Sequence, residues 1–290
     1  MKFGQGLLRY VRHVLTQKEV DRTAPVRVER LLGFRSKALG RKVAVDVFLP
    51  PGHRTRGVVP YPVLYANDGQ DMEAVKMRET LTRLYAEGSL QPLVVVAVRA
   101  ADRLHEYGTA ARPDYQGRGA GASHYARFVL HELMPYVNGH YHTSPRAAQT
   151  AVMGFSLGGL SAFDLAWNHP GRFGQVGVFS GSFWWRSRSW QETHDDSYRI
   201  AHTMVREGDL HPDLRFWFQA GTADEDSDRD GDGIIDAIGD TLHLMEELKR
   251  KGYADEAIRY VEVPGGRHDQ PTWGQVLPDF LLWAFGRGGV

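Results

Sequence analysis

Val152-Met153-Gly154-Phe155-Ser156-Leu157-Gly158-Gly159-Leu160 reads as a short strand that turns into a helix with a serine at the turn. Gln149 to Met153 is apolar and strand-like, whereas Leu157, Leu160, Phe163, Ala166 and Trp167 recur at helical spacing until Asn168-His169-Pro170 ends the run. A serine at a sharp strand-to-helix turn has its hydroxyl forced outward, and the next backbone N–H points at a developing oxyanion. Glycines at 154 and 158 suit so tight a turn. In a chain with 32 glycines the Gly-x-Ser-x-Gly pentad decides nothing alone, so its surroundings must.

Working outward, β-branched stretches at Val26 to Leu31 and Lys42 to Leu49 flank Gly33 to Gly40 and predict two antiparallel strands. Tyr61 to Tyr65 and Leu93 to Val98 read as buried strands, with an amphipathic helix within Ala74 to Glu87 between them. Arg99 to Ser123 has no periodicity, and its arginines and tyrosines favour a binding loop. His124 to Asn138 returns to helix. Beyond the serine helix come a strand at Gln175 to Phe179, a helix at Asp196 to Glu207, a strand at Leu214 to Ala220, a helix through Ile238 and Leu248, a strand at Ile258 to Val263 and a helix from Trp273 to Phe285. This alternation predicts an α/β fold: a mostly parallel central sheet with antiparallel N-terminal strands and helices on both faces. Residues 26–290 are expected to form a single domain.

The composition narrows the partners. Of 290 residues, 35 are Lys or Arg and 35 Asp or Glu, so no global field favours nucleic acid, and 42% hydrophobic residues support a large core. The absence of cysteine excludes disulfides and thiol catalysis. Met1 to Val20 has apolar runs too brief for a signal peptide or membrane span, from which a cytoplasmic location is expected. Residues 1–25 are read as an amphipathic helical segment, its Leu7, Leu8, Val11, Val14 and Leu15 stripe packing on the domain or on a second subunit.

A serine hydroxyl needs a general base, and the base an orienting carboxylate; on a strand-turn-helix nucleophile the order is Ser, acid, His. His268 is the base, because Val263-Pro264-Gly265-Gly266-Arg267-His268 follows the last strand on a flexible glycine loop. Asp224 is the acid, as the first carboxylate after the Leu214 to Ala220 strand, with Glu225 and Asp226 as alternatives. The oxyanion donors are the backbone N–H groups of Leu157 and of Gln70, the latter in the loop after the Tyr61 to Tyr65 strand.

Taken together, Gly-Phe-Ser-Leu-Gly-Gly at 154–159, Asn67-Asp68-Gly69-Gln70, Arg103-x-x-Glu106-Tyr107-Gly108, Gly-Thr-Ala-Asp at 221–224 and Gly-Gly-Arg-His-Asp at 265–269 resemble the putative-esterase family. That family includes esterase D and the enterochelin esterase-like hydrolases, within the α/β-hydrolase superfamily. The resemblance implies that Ser156, Asp224 and His268 form a triad hydrolysing a small or siderophore-like ester or lactone through an acyl-enzyme. Acetylated or feruloylated sugars, acyl transfer and a non-catalytic binding role are the alternatives. Arg103, Tyr107, Trp184 and Trp185 are the candidate substrate contacts.

Asp228-x-Asp230-x-Asp232-Gly233-x-Ile235-Asp236 has the alternating carboxylates and central glycine of a calcium loop. Gly239 stands where a complete EF-hand places its bidentate glutamate, so a non-EF-hand structural Ca2+ is expected on Asp228, Asp230, Asp232 and Asp236. Its expected role is to pin the acid loop. No cofactor is expected for the chemistry itself.

Overall fold

Successive residues of the central strands point to opposite faces of one sheet, and both faces are apolar. Val63, Tyr65, Val94, Val96 and Val98 join one core cluster, while Leu64, Ala66, Val95 and Ala97 join another on the other side. The structure, a computed structural model, describes residues 21–287. The expected N-terminal helical stripe lies outside these residues.

The strands are β1 (Arg27–Ser36), β2 (Arg41–Leu49), β3 (Val63–Ala66), β4 (Val94–Val98), β5 (Thr150–Phe155), β6 (Gln175–Phe179), β7 (Arg215–Ala223) and β8 (Ile258–Arg267). They form one sheet in the order β1-β2-β4-β3-β5-β6-β7-β8. The β1–β2 and β2–β4 pairs are antiparallel, and every pair from β4 to β8 is parallel. The helices are α1 (Met77–Ala86), α2 (Arg103–Glu106), α3 (Ala122–Phe128), α4 (Met134–Tyr141), α5 (Leu157–Asn168), α6 (Trp190–Thr193), α7 (Ile200–Glu207), α8 (Asp236–Lys251) and α9 (Gln270–Phe285). A π turn at Val129–Leu133 joins α3 to α4. Helices α1 and α9 cover one face of the sheet, and α3, α4, α5, α7 and α8 the other.

Strand order runs one way from β3 to β4 and the other way from β3 to β5. Such a reversal opens a crevice beyond the carboxyl ends of the two strands, where ligands bind in open α/β sheets. The loop Asn67–Gln70 follows β3 and Ser156 follows β5, so the fold brings these two segments together.

Three elements depart furthest from the expected bounds. Strand β1 continues past Gly33 to Ser36, with a register shift between Leu31 and Phe34. It lies at the sheet edge, where a Cβ at Gly33 would meet nothing within 4 Å, so the glycine neither packs nor breaks the strand. Strand β8 runs through Pro264, Gly265 and Gly266 to Arg267 instead of ending at Val263. The expected flexible glycine loop is thus a paired strand end: Gly265 N–H donates to Thr222 Oγ1 at 2.7 Å, and a Cβ on Gly221 would run into the Gly266 backbone. Helix α7 begins at Ile200, because Asp196 is drawn into ion pairs with Arg186, Arg199 and Arg229.

The segment 99–123 is ordered by specific contacts. Gly108 and Gly119 have φ of 131° and 76°, and a side chain on either would press into the Trp185 ring. Ala110 N–H donates to Asp164 Oδ2 on α5 at 3.0 Å.

Candidate active site

Ser156 sits between β5 and α5 with φ 53° and ψ −120°, a conformation that costs a non-glycine residue about 1–3 kcal/mol. The strain persists because both flanks are fixed. Ser156 N–H donates to Phe179 O at 2.8 Å, and a Cβ on Gly154 would collide with the Gly158 backbone. The hydroxyl lies 3.3 Å from Ser182 Oγ, and Ser182 N–H donates to Ser156 O at 3.2 Å. Leu157 and Gly158 open α5, in the first turn, where backbone N–H groups have no partner within the helix. Such groups and the helix dipole favour a negative oxygen.

His268 follows β8 directly, and its Nδ1 is 3.7 Å from Asp224 Oδ1. The Asp224 side chain is fully buried, whereas Asp226 is exposed and Glu225 only partly covered. Among the three carboxylates considered from the sequence, Asp224 is the one the structure brings to the histidine. Its Oδ2 accepts from Gly221 N–H at 3.2 Å and its Oδ1 from Ser180 Oγ at 3.1 Å. Burial pushes the His268 imidazole below its ordinary value of 6.5; Asp224 pulls it back up, Arg103 pushes it down and Asp269 raises it. The imidazole is thereby biased toward its neutral form, the form a general base requires.

Against the serine turn lies the loop after β3. Asp68 has φ 58° and is fully buried, and its carboxylate fills the space beside Gly158. Asn67 Nδ2 donates to Gly158 O at 2.8 Å, and Tyr125 donates to Asn67 Oδ1 at 2.6 Å. Gln70 is exposed, with its side-chain amide donating to Asp68 Oδ1 at 2.9 Å. A cleft of about 370 Å3 opens beside Gly69 and Gln70, lined also by Arg30, Asp46, Glu73 and Arg99.

The expected substrate contacts divide. Arg103 Nε donates to Asp68 Oδ1 at 2.7 Å and its Nη2 to Phe155 O at 3.3 Å, which sets a half-exposed guanidinium beside the serine turn. Tyr107 is fully buried; its hydroxyl accepts from Asp68 N–H at 3.0 Å and its ring meets Tyr125 edge to face. Trp185 is likewise fully buried, under segment 99–123, so neither residue presents a surface to solvent. Trp184 is partly exposed, with the Arg118 guanidinium 4.9 Å from its ring centroid. Ser180, Ser182, Asp68 and Trp273 were not legible as site residues, since each owes its place to a partner distant in sequence.

In the acidic loop Asp228, Asp230 and Asp232 are exposed, and one carboxylate oxygen from each lies within 4.8 Å of the others. Asp236 is not part of this group: it accepts from Ser227 Oγ and Arg229 N–H and pairs with the Arg229 guanidinium at 3.0 Å. A carboxylate committed to an arginine is a poor additional ligand, which removes Asp236 from the expected set. Arg229 in turn pairs with buried Asp240 and with Asp196, tying the loop after β7 to α8 and to the segment before α7. Among the described residues, no helix is long and apolar enough to cross a membrane.

The sequence profile of the family described as Putative esterase matches residues 36–284. An iron(III) enterobactin esterase of Escherichia coli O6:H1 is 36% identical over 262 residues, covering 89% of this chain and 58% of that protein. An endo-1,4-beta-xylanase/feruloyl esterase of Xylanibacter ruminicola is 24% identical over 157 residues, 51% of this chain and 21% of that one. The crystal structure of the enterobactin esterase from Shigella flexneri in the presence of enterobactin superposes with a TM-score of 0.69 at 25% identity, over 90% of this chain and 58% of that one. The chain thus spans little more than half the length of the enterobactin esterases it matches.

Proposed function

This chain belongs to the Putative esterase family of α/β-hydrolase ester hydrolases, and on that premise we propose that it cleaves a small siderophore-like ester or lactone with Ser156, His268 and Asp224 as its triad. The observation that carries the reading is the strained serine turn at the strand reversal, with the buried Asp224 carboxylate facing His268.

In this mechanism His268 takes the Ser156 proton through Nε2 as Oγ attacks the ester carbonyl, while Asp224 accepts from Nδ1 and holds the productive tautomer. The tetrahedral oxyanion is met by the N–H groups of Leu157, at the start of α5, and of Gln70. His268 then protonates the departing alcohol, leaving an acyl group on Ser156. Water, deprotonated by the same imidazole, releases the acid. Arg103 stands beside the turn as a donor for an aryl or hydroxylated acyl group.

Support for a siderophore-type substrate is the 36% identity to an iron(III) enterobactin esterase over most of this chain. A feruloyl ester is the second reading, supported by the match to the xylanase/feruloyl esterase. A structural calcium ion on Asp228, Asp230 and Asp232 belongs to the same proposal, supported by the convergence of the three carboxylates.

The test is labelling by a fluorophosphonate in the parent and in Ser156→Ala, together with hydrolysis of a catechoyl-serine lactone and a feruloyl ester. Labelling that survives in Ser156→Ala would remove the serine from its role. Faster turnover of the feruloyl ester would move the substrate to the second reading.

A further inference from the structure

We propose that Ser180 and Trp273 are positioning residues for the acid and base, acting through a hydrogen-bond chain from the Trp273 indole through the Ser180 hydroxyl to the Asp224 oxygen that faces His268. The inference rests on the triad reading and extends it to two side chains that touch neither the serine nor an ester.

The direction of the chain is fixed by its ends. Trp273 Nε1–H donates to Ser180 Oγ at 2.9 Å, and an indole nitrogen can only donate. Ser180 Oγ donates to Asp224 Oδ1 at 3.1 Å, and an ionised carboxylate can only accept. The hydroxyl therefore accepts from one side and donates to the other, with no alternative arrangement of its proton. Ser180, Trp273 and Asp224 are all buried, so water does not compete for these bonds.

The carboxylate needs this second anchor. Gly221 N–H holds Oδ2 at 3.2 Å, but one bond leaves the group free to rotate about its broad terminal torsion. Fixing Oδ1 as well sets the plane of the carboxylate and aims that oxygen at His268 Nδ1, 3.7 Å away. Ser180 has φ 46°, a left-handed conformation in which a non-glycine residue is uncommon. Glycine would satisfy that backbone without strain, so the hydroxyl is what serine adds there.

Trp273 touches the rest of the machinery with its ring. It stacks on Phe155, the residue before the nucleophile, at 4.8 Å between centroids and 11° between planes. It also meets the His268 ring edge to face at 5.3 Å. One side chain thus braces the nucleophile strand, the base and, through Ser180, the acid.

Two variants test the chain without emptying the core. Trp273→Phe keeps an aromatic ring against Phe155 and His268 and deletes the N–H. Ser180→Gly deletes the hydroxyl in a conformation glycine adopts freely. Each is expected to lower kcat for p-nitrophenyl acetate about tenfold, with KM within about twofold, as displaced catalytic groups do. Each should also move the acid limb of kcat/KM to lower pH, because Asp224 is the group that raises His268 most, while Asp269 and Arg103, its other charged neighbours, are untouched. In an Asp224→Ala background neither substitution should cost anything further, which a merely structural role would not predict. Parental kcat and acid limb in both variants, beside an Asp224→Ala that keeps only a small residual activity, would overturn the relay and leave the triad standing. Parental activity in Asp224→Ala would overturn the triad itself. Should Ser180→Gly melt below the assay temperature, Trp273→Phe decides.

Discussion

The Asp68 carboxylate occupies the space that a side chain at Gly158 would need. The glycine two residues after the serine is required by a buried acid from the loop after β3, not only by the turn. Asp68 cannot retreat, because Arg103 and Gln70 hold it and it is fully buried. In Gly158→Ala the gain in helix propensity is about 0.5–1 kcal/mol, whereas forcing extra volume into a packed site costs about 1–3 kcal/mol. The variant should be less stable by about 1–2 kcal/mol and lose at least about tenfold in kcat/KM, as the first turn of α5 shifts. Urea melts and ester assays check both, and wild-type values for both would show that the Asp68 contact yields.

Ser156 itself stores backbone strain. Glycine at 156 would relieve about 1–3 kcal/mol, against about 0.4–1 kcal/mol of added chain entropy in the unfolded state. Ser156→Gly should therefore be more stable than Ser156→Ala by about 1 kcal/mol, with both inactive. Paired denaturant titrations measure the difference; equal midpoints would mean that the turn carries no strain.

What the sequence disclosed follows the range of the interactions involved. Leu157, Leu160 and Phe163 reveal α5, and the valines of β4 reveal a strand covered on both faces, because each pattern is local and its period is set by backbone geometry. The places of Ser156, Asp224 and His268 were also legible, since each directly follows a strand. Asp68 and Arg103 are 35 residues apart, and Ser180 and Trp273 are 93 apart. No periodicity links such pairs. For the same reason Tyr107, in the aperiodic 99–123 stretch, and Trp185, beside a strand end, read as substrate contacts, although both are fully buried where that stretch packs onto Trp185. Asp236 fitted a calcium spacing, yet the arginine that takes it, Arg229, lies inside the same loop and could have been weighed against it.

Two histidines set the response to acid in different ways. Burial lowers His268 and Asp224 only partly restores it, so the neutral base survives below pH 6.5 and the acid limb of kcat/KM should fall there. Asp224→Asn removes the group that raises it and should move the limb lower still. His202 is buried on α7, its Nε2 donating to Asp240 O at 2.9 Å, and burial with Arg199 nearby holds it well below 6.5. A base lowered in the folded state binds fewer protons than in the unfolded one, so stability is full above 6.5 and is lost as pH falls below it. His202→Gln, whose amide can still donate to the carbonyl, should flatten this slope between pH 7 and 5. Melting curves across that range check it, and an unchanged slope would assign the acid sensitivity elsewhere.

The acidic loop yields the last expectation. Asp228 and Asp232 each accept backbone N–H groups of the loop, from Gly231 and Gly233 and from Ile234 respectively, so truncating either would disturb the turn as well as any ion. Asp230 shares the carboxylate cluster and is the cleaner probe. If calcium binds there, adding it to chelator-treated protein at a hundredfold excess over Kd should stabilise the fold by about 2.7 kcal/mol. For a chain of this size that is a rise in Tm of roughly 5–10 °C. Asp230→Ala should abolish the rise while leaving the metal-free midpoint within about 0.5 kcal/mol of the parent, as for an exposed substitution. The ion would act at a distance, because Arg229, in the same loop, anchors to Asp240 and Asp196, while Asp224 at the loop's start is held by Gly221 and Ser180. Esterase activity should therefore change less than Tm. A Tm indifferent to calcium would leave the three carboxylates as a solvated turn.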